Sequence, residues 1–123
     1  MTDNIVQVPS LFFDRILIVD DDPFISDIIL KCLRMEGYEC CVATDAEAAI
    51  ELLAQNEFSL IISDIMMPGK SGIELLAIVR EKYPDTAVIM VTAVDDRKTA
   101  IQALQLGAYG YVIKPFDLNE IAI

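Results

Sequence analysis

Short runs in which nearly every residue is apolar recur along this chain, and they limit its fold more than any other feature. Ile16-Leu17-Ile18-Val19, Leu60-Ile61-Ile62 and Ala87-Val88-Ile89-Met90-Val91 are strand-sized and offer no polar side to water. Such strands need cover on both faces, which is the situation of a parallel sheet flanked by helices. Longer segments with apolar residues at helical spacing lie between them, so the pattern reads as repeated βα units of an α/β domain. Five units are expected, with strands at about Arg15 to Asp20, Tyr38 to Val42, Phe58 to Ser63, Thr86 to Val91 and Tyr109 to Ile113.

Local signals place the helices. Pro23 suits a first helical turn and Gly37 a stop, with Phe24, Ile28, Cys32 and Met35 forming the expected inner stripe, widened by Ile25, Ile29 and Leu33. Thr44 or Asp45 caps a second helix to about Gln55, with Ala46, Ala49, Ile50 and Leu53 facing inward, and Ser71 caps a third that runs to about Lys82. A fourth is expected from Asp96 to Leu106, and a fifth from Asp117. The fifth has barely two turns before Ile123 and would leave sheet uncovered, so a fragment of a longer protein is expected. Residues 1–14 show no sustained period and are expected to be a flexible or loosely docked arm, with Leu11-Phe12-Phe13 able to pack on something, ahead of a domain over 15–123.

Open parallel sheets bind ligands beyond the carboxyl ends of their strands. That rule gathers Asp20-Asp21-Asp22, Asp64, Thr92 and Lys114 on one edge. Clustered carboxylates raise one another's pKa unless a cation sits among them, so a hard divalent ion, magnesium, is predicted. Thr92 and Lys114 suit the oxygens of a phosphoryl group, and the isolated Asp64 is the best nucleophile.

Composition removes other classes. Twenty acidic against nine basic residues give a net charge of −11, which argues against binding nucleic acid or an anionic membrane. No apolar run approaches the roughly 18 residues of a membrane span. The chain has no histidine, which excludes histidine bases and histidine-ligated zinc within it. Cys32, Cys40 and Cys41 lack a Cys-x-x-Cys spacing and no signal peptide precedes them, so structural thiols in a cytoplasmic protein are expected.

Four blocks, Ile16-Leu17-Ile18-Val19-Asp20-Asp21-Asp22-Pro23, Asp64-Ile65-Met66-Met67-Pro68-Gly69, Val91-Thr92-Ala93 and Tyr111-Val112-Ile113-Lys114-Pro115-Phe116, resemble in order and spacing the signature of response-regulator receiver domains. The resemblance implies a flavodoxin-like, doubly wound five-stranded sheet of order 2-1-3-4-5, with helices on both faces. It implies Asp64 as the aspartate phosphorylated by a sensor histidine kinase or phosphotransfer protein. Asp21 and Asp64 would be direct magnesium ligands, Asp20 a ligand through water, and Met66 the donor of a backbone carbonyl. Lys114, Thr92 and the Ala93 amide would take phosphoryl oxygens, Tyr111 would turn inward with Thr92 as a switch, and Lys114-Pro115 would be a cis peptide. The signal would leave through helix four, strand five and helix five, toward an output domain past residue 123, a separate effector or a second copy of the chain.

Rival motifs fit less well. Gly69-Lys70-Ser71 imitates the end of a nucleotide-binding P-loop, but Asp64 stands where its first glycine belongs. Asp20-x-Asp22 begins the motif of haloacid dehalogenase phosphatases, yet Phe24 occupies a position that needs Thr or Val. The remaining alternative is an interaction module of receiver fold that signals without phosphorylation.

Overall fold

The structure, a computed structural model, describes residues 15–93 and 97–114. In chain order these form β1 (Arg15–Val19), α1 (Pro23–Met35), β2 (Glu39–Ala43), α2 (Ala46–Gln55), β3 (Leu60–Asp64), α3 (Gly72–Lys82), β4 (Ala87–Ala93), α4 (Arg97–Gln105) and β5 (Gly110–Lys114). The five strands are parallel in the order β2-β1-β3-β4-β5. The expected fifth helix and the Lys114-Pro115 peptide lie outside the described residues, as does the 1–14 arm.

Alternation along the strands divides the core in two. Leu17, Val19, Ile61, Val88 and Met90 pack with Ala46, Ala49 and Leu53 of α2, Leu75, Leu76 and Val79 of α3, and Ala103 of α4. Ile16, Ile18, Leu60, Ile62 and Val91 turn to the other face and pack with Ile29 and Leu33 of α1. β1 and β3 lie inside the sheet and are buried almost throughout, whereas only Ala43 of β2 is fully buried, because β2 is an edge strand.

The caps set where helices begin. Asp22 Oδ1 accepts from the Phe24 amide at 2.9 Å, and Asp45 Oδ1, rather than Thr44, accepts from the Ala48 amide at 2.8 Å. Ser71 and Glu74 exchange two bonds in a capping box at the start of α3.

Two expectations are corrected. Phe24 and Met35 are 71% and 87% exposed, and the buried axis of α1 runs through Ser26, Ile29 and Leu33 instead. The helix meets the sheet along a narrower arc than its apolar stripe, so Phe24 and Met35 stay in water. Phe58 and Ser59 precede β3 instead of starting it: Phe58 is buried under α2, and the Ser59 amide bonds Arg15 before the β1 pairing begins.

Candidate functional site at the carboxyl edge of the sheet

Asp20 follows the last residue of β1 and is 2% exposed. Its amide donates to the Ala43 carbonyl at 3.1 Å, and its Oδ1 accepts from the Asp22 amide at 2.9 Å, so backbone on both sides fixes the carboxylate. Asp64 ends β3, in register with Val91 of β4. The amide two residues on, of Met66, donates to Asp64 Oδ1 at 3.3 Å, while the Met66 side chain points out and is 67% exposed. One carboxylate oxygen each from Asp20, Asp21 and Asp64 lies within 4.8 Å of the others.

Lys114 ends β5, two strands away from β3. That separation is about 9.6 Å at the usual interstrand spacing, and the four-carbon stem spans it across β4. Lys114 Nζ lies 3.2 Å from Asp64 Oδ2 and 3.6 Å from Asp20 Oδ2. Thr92 is buried one position past the β4 partner of Asp64, and Ala93 is in register with Lys114. Tyr111 is in register with Met90 on the edge strand, half-buried against the α2–α4 core.

The electrostatics follow from this crowding. Burial pushes the Asp20 carboxyl above its ordinary 3.8, and the charges of Asp64 and Asp21 push the same way, against the Asp22 amide and Lys114. Burial alone would lower the Lys114 ammonium, but Asp64 and then Asp20 outweigh it and hold it above 10.5. One ammonium thus faces three acids, a set short of positive charge. The acids suit magnesium, a hard ion that takes oxygen ligands including one or two carboxylates.

Asp20, Asp21, Asp64, Thr92 and Lys114 stand near this edge, where the strand pattern puts them, whereas nothing in the pattern singles out Gly72. A β-carbon there would collide with the Asp64 carbonyl oxygen, and would meet Ile65 Cα and Met90 Cε at 2.8 Å. The Gly72 amide donates to the Ile65 carbonyl at 2.8 Å. Only a residue without a side chain lets α3 start this close to the end of β3. The signal is the Ser71-Gly72 pair at the helix start, a glycine where a capping serine accounts for only one of the two residues.

A 2-1-3-4-5 parallel sheet that collects acids and one lysine at its carboxyl edge is a flavodoxin-like fold with an acidic site at that edge. A profile of the response regulator receiver domain matches residues 16–123, and the chain belongs to that family, the receivers of two-component signalling. Over 107 residues it is 38% identical to the response regulator protein FleR of Pseudomonas aeruginosa, a match that covers 87% of this chain but only 23% of FleR. It superposes on the receiver domain of NtrX from Brucella abortus with a TM-score of 0.83 at 31% identity, covering 86% of this chain and 90% of that one. For the chemotaxis response regulator CheY4 of Vibrio cholerae the TM-score is 0.81 at 30% identity, over 87% and 91% of the chains. Among the described residues no helix is long and apolar enough to cross a membrane.

Proposed function

We propose that this domain stores a signal as an acyl phosphate on Asp64, received from a histidine kinase or a phosphotransfer protein. The observation that carries the reading is the contact of Lys114 Nζ with Asp64 Oδ2 at 3.2 Å beside the Asp20-Asp21-Asp64 cluster. An Asp64 carboxylate oxygen attacks the phosphorus, the bond from phosphorus to the donor's imidazole nitrogen breaks, and the electron pair stays on that nitrogen. Charge grows on three equatorial oxygens. Lys114 neutralises part of it, and the Thr92 hydroxyl and Ala93 amide hold the rest once they shift toward Asp64.

Asp20, Asp21 and Asp64, with the Met66 carbonyl, would hold magnesium, which supplies further positive charge to the phosphoryl oxygens. The domain catalyses only its own phosphorylation and dephosphorylation, in the cytoplasm, and does not itself touch nucleic acid. Readout is a population shift: the conformer that offers Thr92 and Lys114 to the phosphoryl group gains its binding energy, and Tyr111 follows Thr92 inward. Ile101, Leu104, Leu106 and Tyr109, between 39% and 80% exposed on α4 and the approach to β5, favour that face as the contact with an output domain, an effector or a second copy.

The test is incubation with acetyl phosphate and magnesium, read by intact mass. Gain of one phosphoryl group by the native chain and none by Asp64→Asn is the expected result, since an amide is a poor nucleophile. A native chain that stays unmodified would favour the phosphorylation-independent module, and modification retained in Asp64→Asn would place the nucleophile elsewhere.

A further inference from the structure

Ser63 stands in β3 one place before Asp64 and is completely buried. Its register partners are Val19 of β1 and Met90 of β4, and alternation with Ile61 and Ile65 turns it toward the apolar core that α2 and α3 cover. Packing gives no reason for a hydroxyl there, because burying one among apolar groups costs stability unless it finds a partner. The partner is the next residue: Ser63 Oγ donates to the Asp64 carbonyl at 3.0 Å.

That bond completes a set of clamps on the backbone as it leaves β3. A peptide unit is a rigid plane, so a bond at each end fixes its tilt. In the Asp64–Ile65 unit the carbonyl is held by Ser63 Oγ, and the Ile65 amide donates to the Val91 carbonyl of β4 at 3.0 Å. In the next unit the Ile65 carbonyl accepts from the Gly72 amide at 2.8 Å, and the Met66 amide donates to Asp64 Oδ1 at 3.3 Å. Two of these four clamps are backbone groups, one is the Asp64 carboxylate itself, and the last is the Ser63 hydroxyl.

We propose that Ser63 is a positioning residue for the acid cluster: its hydroxyl sets the tilt of the Asp64–Ile65 peptide, and through it where the Met66 backbone meets the Asp64 carboxylate. Without the hydroxyl that plane is held at one end only. The Met66 bond, already long for its kind, then opens more often, and the carboxylate loses its fixed orientation. This much needs neither metal nor phosphorylation. The consequence for magnesium rests on the function proposed above, in which the Met66 carbonyl is a ligand.

The test compares isotope-labelled native chain, Ser63→Ala, Ser63→Cys and Ser63→Thr by amide hydrogen exchange in EDTA. In Ser63→Ala the Met66 amide should exchange at least about fivefold faster, while those of Ile61 and Ile62, further back in β3, keep their native rates. Ser63→Cys keeps the volume with a far weaker donor and should behave as Ser63→Ala does, so the result does not hang on the folding of one variant. Ser63→Thr retains the hydroxyl and should exchange at Met66 as the native chain does. Magnesium affinity, by calorimetry, should fall at least about fivefold in Ser63→Ala and Ser63→Cys and hold in Ser63→Thr. Native exchange at Met66 in the alanine and cysteine variants, acceleration spread evenly along β3, or a local loss as large in Ser63→Thr would each overturn the positioning role. Faster Met66 exchange with unaltered magnesium affinity would support that role and overturn the Met66 carbonyl as a ligand, a failure of the proposed function alone.

Discussion

Lys114 Nζ sits 3.2 Å from Asp64 Oδ2 although 50 positions separate the two in the chain and β4 lies between their strands. The lysine is also the one cation among the described residues that reaches Asp20, at 3.6 Å. It is therefore the internal counter-charge of the cluster.

Replacing Lys114 with Met keeps the stem and removes the charge. With Asp20 and Asp64 left to face each other, the metal-free chain should lose about 1–3 kcal/mol in urea unfolding at neutral pH, less than a fully buried pair because the ammonium is partly solvated. Phosphorylation by acetyl phosphate should slow by about tenfold or more. Because the folded pKa of Lys114 lies above 10.5, the contribution is complete below that pH and lost as pH climbs through the folded value. Equal stability of mutant and native chain at pH 7 would remove the lysine from this role.

Gly72→Ala should cost about 1–3 kcal/mol, by forcing α3 away from the end of β3. The displaced groups are the Asp64 carbonyl and Ile65 Cα, so the damage should reach the acid cluster. Magnesium affinity, measured by titration calorimetry on the folded mutant, should fall with stability. A mutant with native affinity would show that the backbone yields elsewhere.

Asp20→Asn should stabilise the protein when no divalent ion is present. The native carboxyl titrates above 3.8 when folded, so its favourable contribution is complete below that pH and is lost as pH rises through the folded value. The mutant keeps an oxygen for the Asp22 amide and sheds the charge. Its melting temperature should exceed the native one at pH 7 in EDTA, with the gap closing as pH falls toward 3.8. Saturating magnesium should reverse the order, since only the native side chain is then a charged ligand.

Asp21 is exposed. Asp21→Ala should therefore change stability by less than about 0.5 kcal/mol. Magnesium affinity should drop at least about tenfold, since the ion takes only one or two carboxylates and this removes one. Undiminished affinity in calorimetry would locate the ion elsewhere.

Where the sequence was legible, a single force dominated. β1 and β3 could be read because complete burial demands apolar residues throughout, and Ser71 because a capping serine and Glu74 have one local geometry. The exposure of Phe24 and Met35 is not legible, because a stripe of apolar residues says that a helix packs but not at which angle it meets the sheet. Phe58 reads as part of β3 because periodicity reports burial, and Phe58 is buried ahead of the strand ladder.

By itself the sequence determined which residues share the carboxyl edge, since each stands at, or next to, the carboxyl end of a strand and parallel strands all end on the same side. It also determined their chemical types and the excess of negative charge. Tertiary structure alone decided the distances: that Lys114 spans β4 to Asp64, that Asp20 is almost sealed from water while Asp21 beside it is not, and that α3 begins against the Asp64 backbone. Those quantities depend on strand order, register and the clearance at Gly72, where contacts between segments distant in the chain set the geometry and local preference has no say.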